Sequence, residues 1–419
     1  MPDGPVVVVG GGPGGLAAAI ALRRRGLREV LVIEREAEPG GIPRHARHQG
    51  FGLRDLRRVL TGPAYARRYA ELARAAGVEL VAETMVTGWD EARALELTGP
   101  GGRTTLSPAA VVLATGCRER PRSARLVPGS RPAGVMTTGM LQQLVYLRGL
   151  PAGRRALVVG AEHVSFSAIV TLAHGGARTV ALTTELAAHQ SLAAFRLGAR
   201  LRYRVPVRTR TRLSAIRGRE RVEEVELTDL DSGRTRSVAC DTIVFSADWI
   251  PDHELAVLAG IELDPITRGP AVDPALRTSR AGVFAVGNLL HGAEQADVAA
   301  LSGRHVAAGV AVFLADGAWP AERVRITCEP PLGWIAPNAL AAPAGPPARG
   351  HFALRASEHL RRPRILVIQD DRTLWSERLP RVMPGRSTRL PHDWSARVDP
   401  AGGPVALTTA SAEWESRSR

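Results

Sequence analysis

Residues 5–22 read PVVVVGGGPGGLAAAIAL, four valines, a glycine turn and a run of alanine, leucine and isoleucine. The valines lack the polar alternation of a half-exposed strand, so they predict a strand buried on both faces. The alanine-rich run predicts a helix, and Val30–Ile33 predicts a second strand, closing a βαβ unit. In the turn, Gly10, Gly12 and Gly15 stand in GxGxxG spacing directly after a strand and at the start of a helix, the context that motif requires. Gly10 allows the tight turn, Gly12 admits a pyrophosphate to the backbone, and Gly15 lets helix and strand close up. The helix N-terminus then offers unpaired N–H groups to the phosphates. Glu34, nineteen residues after Gly15, is placed to hold the hydroxyls of an adenosine ribose. Gly14, Arg35 and Gly41 complete the expected cofactor contacts of this half.

A similar unit recurs some 150 residues on, where RALVVGAEHVSFSAIV (155–170) leads to a strand at Thr179–Leu182. Its glycine pattern is broken. Glu162 stands where a backbone must approach a pyrophosphate, adding bulk and charge against an anionic ligand. The next strand ends Leu182-Thr-Thr-Glu185, with no arginine for a 2′-phosphate. This unit is therefore expected not to use NAD(P)H, and to be structural or to hold another ligand.

Ala114-Thr115-Gly116, after an apolar strand, and GVFAVGN (282–288) resemble the two later flavin segments of the glutathione-reductase-like flavoproteins, which makes FAD the expected dinucleotide. That family usually has Asp after the second glycine. Here Gly287 is followed by Asn288, which keeps an acceptor and gains a donor. A helix from about Ala296 to Ala315 would direct its positive end at the flavin pyrimidine edge. The segments GIPRH (41–45), GAEHVSFS (160–167), DWIPDHEL (248–255) and VGNLLHGAE (286–294) are similar to one subgroup. It is the FAD-dependent, pyridine-nucleotide-disulfide-oxidoreductase-like proteins that include alpha-type subunits of opine oxidases, hydrogen cyanide synthase and dye-linked amino-acid dehydrogenases. The resemblance covers roughly residues 5–315. It implies oxidation of an amine or amino acid, with electrons passed to an acceptor other than NAD(P). It also implies a partner, either a second flavoprotein subunit or a small iron–sulfur carrier. Many relatives carry a four-cysteine iron–sulfur segment that this chain lacks, which leaves the electron route open.

Three cysteines (Cys117, Cys240, Cys328) lie far apart without a CxxC pair. No redox disulfide, zinc site or iron–sulfur cluster is expected from them, and no metal. In place of a redox pair after Gly40-Gly41 stands IPRHARH, where Arg44 could neutralise a carboxylate or reduced flavin and His45 or His48 could move a proton. A basic loop without catalytic duty is the alternative. His291 and Glu294, just past the ribityl segment, form a second acid/base candidate pair, or cap the helix.

The net charge of +14 rests on 55 basic residues, all arginine. That uniformity points to coding bias. With aromatic residues at 4%, base-stacking platforms are scarce, so no nucleic-acid partner is expected. The stretch 200–221 alternates Arg with apolar residues like a strand pair with a solvated face. No apolar run of about 20 residues is evident and the N-terminus lacks a signal pattern, so a cytoplasmic protein without membrane contact is expected.

The expected fold is α/β: two Rossmann-like, glutathione-reductase-type dinucleotide-binding domains plus a small C-terminal β-rich domain. The FAD domain comprises 1–120 and 281–320, the NAD(P)-binding-like domain 121–280, and a linker with the β-rich tail 321–419. Within the tail, AAPAGPPARG (341–350) reads as a linker and Arg364–Ser376 as a hairpin. Three functions follow: an FAD-linked amine or amino-acid dehydrogenase or oxidase, or an alpha-type relay of its electrons; an NAD(P)H-dependent reductase serving an electron-transfer protein; and a non-catalytic flavin-binding scaffold.

Overall fold

The computed structural model describes residues 4–410 apart from 92–93, 161, 192 and 342–344. Strand β1 (Val6–Val9) is buried along its whole length. It lies in a parallel sheet ordered Val283–Ala285, Ala110–Leu113, β1, β2 (Val30–Ile33), Glu79–Val81. Val6 sits opposite Val30 on one side and Ala110 on the other. Helix α1 (Pro13–Arg24) covers one face together with helix Ala296–Asp316. The two helices touch at backbone level: a Cβ on Gly303 would lie 1.9 Å from the carbonyl oxygen of Gly14.

Helix Ala296–Asp316 corrects one expectation. At 21 residues it is long and apolar enough, by length and composition, to cross a membrane. Its alanines and valines serve a different contact here, because Ala300, Gly303, Ala307 and Val310 are buried in the core shared with α1.

The second parallel sheet runs Val135–Thr137, Thr242–Phe245, Arg155–Val159, Arg178–Thr183, Val207–Arg208. An antiparallel meander follows (Thr211–Arg217, Glu224–Asp229, Thr235–Ala239). The arginine-rich stretch is only partly strand: Arg200 and Arg202 belong to helix Ala193–Tyr203. That helix turns Ala199 inward and leaves its arginines outward, a spacing that an alternating reading cannot separate from a strand.

The β-rich tail starts at Val324, ahead of the proline-rich stretch, so 341–350 lies within that unit and does not lead into it. Its five-stranded sheet includes the expected hairpin, Arg364–Gln369 against Arg372–Arg378. The intervening Asp370 and Asp371 both have positive φ, 46° and 66°, as a tight primed turn requires. A second sheet of three strands, Leu332–Ala336, Phe352–Ala356 and Thr388–Leu390, packs its apolar side into the same core, where Phe352 stacks on Trp394 at 4.9 Å.

Because the Gly14–Gly303 approach is between backbones, no rotamer relieves an added methyl. Gly303→Ala is expected to destabilise the protein by about 1–3 kcal/mol, read as a lower urea midpoint and a reduced flavin content in the purified protein.

Candidate active site

A cavity of about 1170 Å³ opens where the two parallel sheets and the tail meet. Gly10 (φ +106°) has no room for a side chain, since a Cβ would lie 2.6 Å from the Ala114 carbonyl oxygen; at Gly15 one would lie 1.9 Å from that of Gly10. Gly12 is different: a Cβ there meets nothing within 4 Å and would project into open space. The first α1 bond runs from Leu16 N–H to the Gly12 carbonyl, so the Gly14 and Gly15 amides have no partner within the helix. Glu34, at the end of β2, is buried. Its Oε2 accepts from Gly11 N–H (2.8 Å) and its Oε1 from Glu36 N–H (2.9 Å), which leaves a lone pair on each oxygen for ribose hydroxyls.

Of the sequence-derived cofactor residues, Gly10, Gly12, Gly14, Glu34, Arg35, Gly41, Ala114, Thr115, Gly116, Gly287 and Asn288 all line this cavity. Gly15 serves packing instead. Gly41 (φ +60°) rests on the turn, with a Cβ placed 3.0 Å from Gly12 Cα. Thr115 donates to the Asp252 carbonyl (2.7 Å). Asn288 engages both ends of its amide with Glu294: Nδ2 donates to the carbonyl (3.2 Å) and Oδ1 accepts the N–H (3.0 Å). It therefore clamps the 288–294 loop and has one N–H and one lone pair left for a ribityl chain. Arg44 lines the same space, with its Nε buried and unpartnered. An open cradle at a helix start, a ribose-ready carboxylate and an orphaned guanidinium nitrogen fit an adenine dinucleotide.

The catalytic candidates separate. Arg44 keeps a weak pair with Glu38 (3.4 Å). His45 is buried, with Nδ1 3.3 Å from Gln142 Oε1, and Gln142 in turn donates to Ser167 Oγ (3.0 Å). Burial pulls the His45 pKa down, and its ring ties the Ile42–His45 turn to the second domain. His48 is exposed, with Nδ1 3.0 Å from the neighbouring Gln49 carbonyl. His291 and Glu294 are brought together with residues from the tail. His291 stacks on Trp334 with centroids 4.4 Å apart. The Arg355 guanidinium lies 5.0 Å from the Trp334 centroid, and its Nη2 donates to Glu294 Oε1 (3.0 Å) and the Ala293 carbonyl (2.8 Å). Arg355 Nε donates to Ser387 Oγ (3.1 Å), and Ser387 donates to the same Glu294 oxygen. Burial pushes the Glu294 carboxyl up, but the Arg355 guanidinium leads the opposing effects and the carboxyl lies below the usual carboxylate range. Burial, reinforced by Arg355 and opposed by Glu294, lowers the His291 pKa. The result is a neutral imidazole beside an ionised, arginine-paired carboxylate.

Trp334, Arg355 and Ser387 escape sequence reasoning. In the three-stranded tail sheet Trp334 pairs with Arg355, Ala336 with Ala353, and Ala353 with Arg389. Alternation sends Phe352, Leu354 and Leu390 to the tail core, and Ala353, Arg355 and Arg389 to the cavity. The one available signal is FALRA (352–356), a strand with a single arginine among apolar residues.

At the second glycine turn, whose Ala161 lies outside the described residues, Glu162 precedes helix His163–His174 and lines the main cavity. Its Oε2 accepts from Trp249 Nε1 (3.2 Å). Burial pushes this carboxyl up, and the Trp249 hydrogen bond opposes it. Beside it lies a cluster of rings: His163 meets Phe195 at 5.3 Å, and Phe166 meets His189 at 6.3 Å, with His163, Phe166 and Phe195 lining the cavity. Gly385 of the tail abuts Gln190, where an added Cβ would come within 2.5 Å.

A family model described as pyridine nucleotide-disulphide oxidoreductase matches residues 4–303. Thioredoxin reductase of Treponema pallidum is 28% identical over 68% of this chain and 89% of its own length. One subunit of the opine oxidase of Agrobacterium tumefaciens is 28% identical over 71% of this chain, which spans 63% of that relative. Among solved structures, thioredoxin reductase of Lactococcus lactis superposes with a TM-score of 0.62 at 19% identity, over 75% of this chain and all of the other.

Two outcomes test this geometry. Gly12→Glu projects into open space, so the variant is expected to fold and to purify with little or no flavin, read from its visible absorbance; full flavin occupancy would misplace the pyrophosphate. The second outcome follows from His291. Below 6.5, the ordinary histidine value, the unfolded chain binds a proton that the buried ring refuses, so stability is lost as pH falls from there. Urea midpoints measured across that range are expected to drop on acidification, and less steeply in His291→Gln.

Proposed function

The chain belongs to the pyridine nucleotide-disulphide oxidoreductase family and is an FAD-binding oxidoreductase; from that premise we propose that it oxidises an amine or amino acid and passes the electrons to an acceptor other than NAD(P). The observation that carries this reading is the second glycine turn. Glu162 stands at the position of pyrophosphate approach, and the His163 and Phe195 rings, 5.3 Å apart, line the cavity beside it. The amine half is supported by the similarity to the opine oxidase chain and by the neutral His291 imidazole, able to take a proton from a substrate ammonium and share it with Glu294. Bound FAD supplies the two-electron acceptor. Arg355 holds Glu294 ionised, Trp334 fixes the His291 ring plane, and the tail sheet shields both from water.

The site assignment is part of the proposal. The residues from Gly10 to Asn288 hold the dinucleotide, Arg44 balances negative charge, and His291 with Glu294 handles protons. We place the protein in the cytoplasm, with a second flavoprotein or small iron–sulfur carrier as acceptor. Arg304 and His305 inside helix Ala296–Asp316, one bonded to Tyr69 Oη (3.1 Å) and the other to the Pro274 carbonyl (2.8 Å), favour a core helix over a membrane span.

A second reading, an NAD(P)H-dependent reductase, is favoured by the similarity to thioredoxin reductase over most of that protein's length. With only Cys117, Cys240 and Cys328, each a free thiol far from the others in the chain, such a reductase would not use a dithiol of its own. Anaerobic mixing separates the readings. Amino acids, and neither NADH nor NADPH, are expected to bleach the flavin. Reduction by either nucleotide at roughly 1 per second or faster, the low end of ordinary turnover, would promote the reductase. Silence from every donor would favour a scaffold.

A further inference from the structure

Two of the tail arginines that line the cavity have no ion-pair partner among the described residues. Arg389, opposite Ala353 in the three-stranded sheet, and Arg349, three residues before that sheet's Phe352–Ala356 strand, both line the cavity. Among the described residues neither has an ion-pair or hydrogen-bond partner for its guanidinium. The nearby carboxylates are already engaged, Glu294 by Arg355 (3.0 Å) and Asp297 by Arg54 (3.0 Å). Partial desolvation lowers the Arg349 pKa, the charges of Arg389 and Arg54 lower it further, and Glu294 and Asp297 oppose them. The Arg389 and Arg54 guanidiniums thus both repel that of Arg349 beside the start of helix Ala296–Asp316, the end of the cavity that holds His291 and Glu294. Arg349 also carries φ +66°, a left-handed conformation costly for a residue with a side chain and one that clusters at ligand sites.

We infer that Arg349 and Arg389 form an anion subsite, contributed by the C-terminal domain, that takes the carboxylate of the substrate and so selects amino acids over plain amines. This rests on the amine-oxidation reading for its occupant, though not for its chemistry. A carboxylate between the two arginines relieves their repulsion and receives charge-assisted bonds from both. It also aligns the amine end towards His291. The cavity walls differ accordingly, the Rossmann half serving the dinucleotide and the tail sheet serving the substrate acid.

The test titrates the flavin-loaded protein with succinate and, in parallel, with dimethyl succinate, following the visible flavin spectrum. Succinate is expected to perturb it saturably and the diester not. Arg349→Ala and Arg389→Ala, both exposed positions, should each weaken succinate by at least about tenfold with flavin content intact, and the lysine variants should recover part of the loss. Equal responses to acid and diester, or unchanged succinate affinity in the alanine variants, overturn the subsite. Variants that bind succinate normally but lose only electron transfer to the acceptor also overturn it, handing the arginines to an acidic partner protein. The two readings fail separately. If no amine or amino acid reduces the flavin while succinate still titrates through the arginines, amine oxidation falls and the subsite stands. If amino acids reduce it with kcat/KM unaltered in both alanine variants, the reverse holds.

Discussion

Everything in this molecule hangs on how closely three glycine-bearing backbones approach at one point. Gly15 lies against Gly10, Gly10 against Ala114, and Gly303 against Gly14. No side chain separates them, so strand, turn and two helices are fixed to each other by main-chain contact. The amides of the first helical turn, between Gly12 and Leu16, have no partner within the helix.

How much of this can be read beforehand follows from where the physical signal is local. Val6–Val9 and Ala110–Leu113 announce themselves because a strand buried on both faces cannot hide its composition. Glu34 is legible through its spacing from the turn. The tail's contribution is not. Arg355 is one arginine in FALRA, indistinguishable by pattern from a solvated edge residue until the partner strands place Trp334 beside it and Glu294 across the cavity. Helix Ala193–Tyr203 resists reading because arginines among alanines and leucines satisfy either period over so short a window. Gly12 carries a definite function in the sequence, and Asn288 only half of one, since its bond to the Glu294 backbone depends on a loop closing six residues later.

The electrostatics divide along the same line. On the Rossmann side Glu34 is held by backbone, through Gly11 and Glu36. At the tail Arg355, Ser387 and Glu294 hold one another beside the Trp334–His291 stack, with the Ala293 carbonyl as a further partner of Arg355. Buried pairs of this kind are poor sources of stability and good determinants of geometry. The same tail also reaches the other Rossmann unit through Gly385 at Gln190, so one small β domain touches both the flavin end and the crevice that a nicotinamide would need.

The parallel sheet has a consequence in time. Its strand Val283–Ala285 pairs with Ala110–Leu113, next to β1, while the second sheet's strands all fall between them in the chain. At roughly 5–20 residues per second of synthesis, Ala110–Leu113 waits about 10–30 seconds as an unpaired edge before residue 283 leaves the ribosome. Helix Ala296–Asp316, the apolar partner of α1, comes later still. The nascent chain thus carries an unpaired sheet edge and an unmet alanine face on α1 until these later segments are made.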